Sequence, residues 1–163
     1  MTLPFDLVVA EHGAVVWRVC RAVLPDSDAD DAWSETFLAA LGAYDRLRPD
    51  SDVRAWLVTI AHRKAIDVHR RAGRAAVPLA DLPEHAEADD PFELADPELW
   101  RFVASLPDKQ RGAVVYHHVA GLPYAEVADL LDCSAAAARR SAADGIARLR
   151  RHLTPETQEV ATP

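Results

Sequence analysis

Between residues 62 and 74 the chain gathers His62, Arg63, Lys64, His69, Arg70, Arg71 and Arg74, with only Asp67 to oppose them. A cluster of that sign suits a phosphate backbone, or more simply complements the negative end of a helix. Upstream, Asp28, Asp31 and Glu35 follow an i, i+3, i+7 spacing, which on a helix is one face. Such a face fits a basic partner surface; taken alone, it is more often what a solvated helix presents. Near the C-terminus, Ser134, Arg139, Arg140 and Ser141 lie together after a turn-like Asp132-Cys133.

Catalytic and metal chemistry find little support. No H-E-x-x-H, glycine-rich phosphate loop or nucleophile motif occurs. His117 and His118 are adjacent, so they diverge on a helix, and Cys20 and Cys133 stand far apart with no C-x-x-C spacing. The expectation is a protein that binds rather than catalyses, with no cofactor, no metal and two neutral thiols.

The elements that must position these groups read as helices throughout. Val8, Val15, Val16, Val19 and Val23 mark a first helix from Phe5, ended by Leu24-Pro25-Asp26. A second follows, with Asp28 or Asp30 as its cap and Trp33, Phe37, Ala40 and Leu41 as its apolar stripe, Leu38 beside it. Gly42 and Arg48-Pro49-Asp50-Ser51-Asp52 interrupt the pattern. A third helix, capped by Ser51 or Asp52, then runs to about Arg71 on a core face of Trp56, Leu57, Ile60, Ala61, Ala65 and Val68.

After Pro97 come Leu99, Phe102, Val103 and Leu106 on a short helix that Pro107 ends. The next helix carries Ala113, Val114, Val115 and His118 and closes at Gly121. Tyr124, Val127, Ala128 and Leu131 then give a short helix, and a longer one runs from Ala135 to Leu153. This last pair predicts a helix-turn-helix: Ala128 is the small crossing residue, Asp132 tolerates positive φ, and Ser134 caps the second helix. Ala138, Ala142, Ile146, Leu149 and Leu153 would seat that helix, turning Arg139 and Arg140 outward, where such helices meet base edges.

A formal charge of −8 argues against nucleic acid until its distribution is seen. Residues 1–74 carry −1, residues 75–97 carry −7 and residues 98–163 carry none. The expected organisation is therefore all-α, with two small, nearly neutral helical domains (1–74 and 98–153), an acidic proline-containing linker (75–97) and a tail (154–163). No apolar run approaches the roughly 18 to 20 residues that cross a bilayer, and the N-terminus lacks the form of a signal peptide, so a cytoplasmic location is expected.

Three stretches in order resemble the extracytoplasmic-function (ECF) subgroup of sigma-70-type RNA polymerase sigma factors. D-A-D-D-A-W-S-E-T-F-L-A-A-L (28–41) is similar to the segment that grips the polymerase, and S-D-V-R-A-W-L-V-T-I-A-H-R-K-A-I-D-V-H-R-R (51–71) to the segment for the −10 promoter element. S-L-P-D-K-Q-R-G-A-V-V-Y-H-H-V-A-G-L-P-Y-A-E-V-A-D-L-L-D-C-S (105–134) is similar to the fold that reads the −35 element.

The resemblance implies a region 2-like domain followed by a region 4-like domain, with core RNA polymerase and promoter DNA as partners and an anti-sigma factor as a further one. It assigns Asp28, Asp31, Glu35 and Phe37 to the polymerase. Arg48, His62, Arg63, Lys64, Asp67, Arg70, Arg71 and Arg74 go to −10 DNA, and Ser134, Arg139, Arg140 and Ser141 to −35 DNA. The linker acids would occupy polymerase channels that otherwise hold nucleic acid. Three features depart from the family pattern: Arg63 stands where Asn is common, Ala135 to Ala138 replace a Gly-Thr-Val-like run, and Ser141 and Asp144 stand where Arg is usual. They leave open an alternative, a sigma-like regulator that binds polymerase or a regulatory partner without directing initiation.

Overall fold

The computed structural model describes residues 2–72 and 96–154. Arg74, nearly all of the acidic linker and the tail beyond Thr154 lie outside the described residues. Among those described, every regular element is helical. The first module comprises α1 (Phe5–Val23), α2 (Asp26–Ala43), a 3-10 turn (Tyr44–Arg46) and α3 (Val53–Ala72). The second comprises α4 (Pro97–Ser105), α5 (Asp108–Val114), a π-helical turn (Val115–Val119), α6 (Tyr124–Leu131) and α7 (Ala135–Leu153).

α1 packs against both modules. Its buried residues, Val8, His12, Gly13, Val15, Val16, Trp17, Val19, Cys20 and Ala22, cover far more than the stripe of roughly 100° that a surface helix buries. α2 and α3 take one side; the π-turn, α4 and α5 take another. The valine stripe expected from sequence accounts for only part of that contact, and the buried side chains of the two modules form one continuous hydrophobic cluster. Burial pushes the Cys20 thiol up to about 12, so it is a neutral apolar group at pH 7.

Around the start of α1, Phe5 meets Tyr44 edge-on with ring centroids 5.2 Å apart, and Trp33 lies 4.8 Å from Phe37. The Trp33 indole N–H donates to the Gly13 carbonyl at 3.0 Å, tying α2 to α1. α2 starts at Asp26, directly after Pro25, and has no side-chain cap. The expected caps Asp28 and Asp30 lie inside the helix instead, because proline is compatible with a helix entry two residues earlier. Asp52 does cap α3, accepting from the Ala55 N–H at 3.0 Å. Asp96 likewise caps α4, accepting from the Glu98 and Leu99 N–H groups, and Pro97 is the first helical residue. The helix thus begins inside the stretch assigned to the linker, since Asp96 is used structurally and Pro97 needs no N–H there.

α5 runs into the π-turn, whose signature is the Ala120 N–H bonding back five residues to the Val115 carbonyl at 2.9 Å. Gly121 then turns at φ 75°. The helix-turn-helix follows, with Asp132 at φ 52° and the Ser134 hydroxyl accepting from the Ala137 N–H at 3.0 Å. Ala138 and Ala142 are fully buried and Leu149 nearly so, but Leu153, the last residue of α7, is 48% exposed. Arg111 clamps the α4–α5 corner, donating to the Ala104 and Leu106 carbonyls and to Asp108.

α7 crosses α5 at Gly145, where an added Cβ would stand 2.6 Å from a Val114 methyl and 3.3 Å from the Gln110 carbonyl oxygen. In an open helix Gly→Ala gains about 1 kcal/mol; overpacking at such a crossing costs about 1 to 3 kcal/mol. Gly145→Ala is therefore expected to lower the thermal midpoint of the protein, measured by circular dichroism, whereas Gly42→Ala, which meets nothing within 4 Å, should raise it or leave it unchanged.

Candidate nucleic-acid interface

The basic residues of α3 do not form one track. At 100° per residue they divide into three stripes. Arg63, Asp67 and Arg70 are exposed, at i, i+4 and i+7. Lys64, Val68 and Arg71 turn toward α2: the Lys64 ammonium lies 3.7 Å from Glu35, and Arg71 lines a cavity of about 240 Å³ with Asp28, Asp31 and Glu35. His62 and His69 make up the third. His69 donates from Nε2 to the Val23 carbonyl at the end of α1, at 2.9 Å. Of the −10 residues named from sequence, the structure thus leaves Arg63, Asp67 and Arg70 open together on one face, with Arg71 also exposed but lining the cavity beside α2. Arg48 is apart, in the loop before α3, paired with Asp50 at 3.2 Å and fully in solvent.

His62 meets the second module. Its Nδ1 is 2.6 Å from the Tyr116 hydroxyl on the π-turn, and the two rings pack edge to face at 5.2 Å. Burial lowers the His62 pKa below its ordinary value, with the Arg63 charge adding to the effect and a hydrogen bond to the Leu130 carbonyl opposing it. With the ring neutral, Nδ1 accepts from the phenol. Burial raises the Tyr116 pKa, so its proton stays available to donate. The Arg54 guanidinium lies over the Gly121 turn on the same side. Sequence gave no signal for this contact, because residues 62 and 116 belong to different modules.

On α2, Phe37 is 6% exposed and packs on Trp33 and Phe5. Its side chain holds the bundle together and is not available to a partner. The apolar surface α2 does present is Leu38, 69% exposed, and Leu41, 54% exposed. Leu38 continues the stripe of Asp31 and Glu35 one turn on, so acid and hydrocarbon share one face. Leu41 was expected in the core; it points outward because Ala40 and Phe37 already fill the contact with α1.

In the second module Ser134 is engaged as a helix cap, whereas Arg139 and Arg140 are exposed and Ser141 is half-buried. The Arg139 guanidinium lies 5.1 Å from the centre of the Tyr124 ring. Asp144 is exposed on the same helix, and among the described residues no ion pair joins it to Arg140 or Arg148.

Two family models match in order, sigma-70 region 2 over residues 8–75 and sigma-70 region 4 over residues 97–149. The chain belongs to the sigma-70 family of RNA polymerase sigma factors. Its relatives place it in the ECF subgroup. It is 33% identical over 126 residues to the ECF RNA polymerase sigma factor SigC of Mycobacterium tuberculosis, an alignment that covers 72% of this chain and 66% of that protein. To the ECF RNA polymerase sigma-E factor of Escherichia coli K12 it is 29% identical over 145 residues, covering 79% and 75%.

Among solved structures, this sigma factor is similar to CnrH, captured with the cytosolic domain of CnrY, at a TM-score of 0.62 and 28% identity, covering 91% of this chain and 86% of that one. It shares its fold with RpoE of Bartonella quintana, solved with the anti-sigma factor NepR, at a TM-score of 0.69 and 19% identity, covering 90% and 94%. No described helix of the sigma factor is long and apolar enough to cross a membrane.

The contact between regions 2 and 4 is expected to weaken in acid. A histidine held below its unfolded pKa of about 6.5 contributes fully above that value; its contribution is lost as the pH falls toward the folded pKa. Between pH 7.5 and pH 5.5 the wild-type thermal midpoint should therefore drop further than that of His62→Asn. Parallel pH profiles for the two proteins would contradict the assignment.

Proposed function

We propose that this chain binds core RNA polymerase through region 2 and directs promoter-specific transcription initiation in the cytoplasm, with promoter DNA contacted by both modules. The observation that carries this is the sorting of side chains on one small bundle. α2 presents acids and exposed leucines, a surface for a basic and partly apolar partner, while α3 turns outward a stripe of two arginines and one aspartate, net positive. Asp28, Asp31, Glu35, Leu38 and Leu41 take the polymerase. Arg63, Asp67 and Arg70 meet −10 DNA, with Arg48 in the adjoining loop. Lys64 and Arg71 serve mainly to balance the acids of α2.

His62 meets DNA only after region 4 leaves Tyr116, so the chain opens as polymerase holds the two modules at separate sites. Arg139 and Arg140 approach the −35 element from α7. The linker acids enter polymerase channels by mimicking nucleic-acid charge, and an anti-sigma factor holds the modules together.

The direct test is transcription from a promoter library by purified core polymerase, with and without this protein. Discrete new start sites are expected. Binding to core without new start sites would replace this function with that of a sigma-like regulator, an alternative favoured by the alanine run and by Asp144. Leu38→Ala together with Glu35→Ala is expected to weaken core binding about tenfold or more, given that interface anchors are worth about 1 to 2 kcal/mol each; equal affinity by fluorescence anisotropy would remove α2 from the contact.

For DNA, Arg63→Ala with Arg70→Ala should lower the slope of log affinity against log salt by about two. Lys64→Ala, already paired with Glu35, should change it far less. A reversed order would mean that the exposed stripe is not the phosphate contact.

A further inference from the structure

The helix-turn-helix carries a small aromatic assembly that the family match does not explain. The π-turn carries His117, whose ring stacks on Tyr124 with centroids 3.8 Å apart and planes 15° from parallel. His117 Nδ1 lies 2.8 Å from the Leu122 carbonyl oxygen. A carbonyl only accepts, so Nδ1 bears the proton and the ring is held in one orientation. The loop closes around it: the Gly121 N–H bonds to the His117 carbonyl at 3.1 Å, and the φ of 75° at Gly121 reverses the chain so that Tyr124 arrives over the imidazole. An imidazole this close and this nearly parallel fills one face of the phenol. The Arg139 guanidinium lies over the same ring, 5.1 Å from its centre.

We propose that Tyr124, backed by His117, is a positioning residue for Arg139, and so sets how strictly this protein discriminates one base of the −35 element. The proposal rests on Arg139 being the base reader. A guanidinium held over a ring by charge–quadrupole attraction need not spend N–H donors on a carboxylate or carbonyl acceptor, leaving them for a guanine O6/N7 edge. A carboxylate partner would consume those donors. Arg carries about 2 kcal/mol of rotamer entropy; Tyr124 removes part of that freedom before DNA arrives, and it does so without a charge that repels phosphate. α7 also offers few other basic side chains in its early turns, because Ala135 to Ala138 precede Arg139. Discrimination at this end therefore depends on how well one arginine is aimed.

The test uses the full-length protein with core polymerase, transcribing a promoter library randomised over the −35 element, and reads the preference for each base at each position. Arg139→Ala should flatten one position, by about tenfold. Tyr124→Leu should lower the preference at that same position by about threefold, the worth of an exposed cation–π contact, and leave the others unchanged. Tyr124→Phe should retain it, since the ring and not the hydroxyl is used. In the double variant, Tyr124→Leu should add nothing to Arg139→Ala.

If Tyr124→Leu weakens every position alike, or adds in full to Arg139→Ala, Tyr124 is only a packing residue and the proposal fails. Should the leucine variant unfold, Tyr124→Met, whose flexible side chain fills the same space, is read by the same criteria. If Arg139→Ala flattens no position, the assignment of Arg139 as reader is wrong and its positioning falls with it. If Arg139→Ala acts but Tyr124→Leu does not, the reader stands and the platform alone is overturned.

Discussion

The rest of the structure depends on α1 being buried from two directions. A helix covered on one side can slide or tilt with modest loss; one wedged between α2 and α3 on one flank and the π-turn, α4 and α5 on another has its axis fixed by both. That is why Trp17, Val19, Cys20 and Ala22 are all 4% exposed or less although they do not share a single stripe. Fully burying a side chain of valine size contributes about 1.5 kcal/mol or more. Region 4 therefore rests on a surface that region 2 alone would leave wet, and separating the modules exposes it. Any partner that opens the protein must offer binding energy of its own.

This constraint also explains the fate of the charged residues on α3. With one side of the helix against α1 and another toward α2, few directions remain open to solvent. Six basic or imidazole side chains close in sequence are consequently distributed among three environments, and a charge count along the chain overstates the positive surface. Arg63, Asp67 and Arg70 are exposed at the remaining angle, while His69 and Arg71, also exposed, reach back to α1 and to the acids of α2.

Much of the fold was legible in the residues. Val8, Val15 and Val19 mark α1 because helical spacing repeats a local rule, and Asp52, Gly121, Asp132 and Ser134 act where their chemistry says they should. Periodicity identifies an apolar stripe but not how many partners press on it. Phe37 and Leu38 are adjacent and similar in hydropathy, and only the packing of Phe5 and Trp33 decides that the first is inside and the second outside. The bond between His62 and Tyr116 was illegible for a different reason: it joins residues 54 positions apart through a tertiary arrangement that no local pattern encodes. The π-turn escaped as well, since Val115 to Val119 would suit an ordinary α-helix equally well.

That π-turn has a consequence for how this chain's second module can change. A π-turn accommodates one more residue than the α-helical turn it interrupts, and each residue of helix advances the side chains by about 100°. It therefore works as a phase adjuster between α5, which is anchored in the core, and the loop that delivers Tyr124. Deleting a single residue there would keep every side chain's identity and every helix's composition, yet rotate His117 out from under the phenol and Tyr116 away from region 2 together. The tie between modules and the geometry of the DNA-facing helix thus share one counting constraint. Insertions and deletions at this corner should be far more disruptive than substitutions, and a chain that lost the extra residue would have to rebuild both features at once.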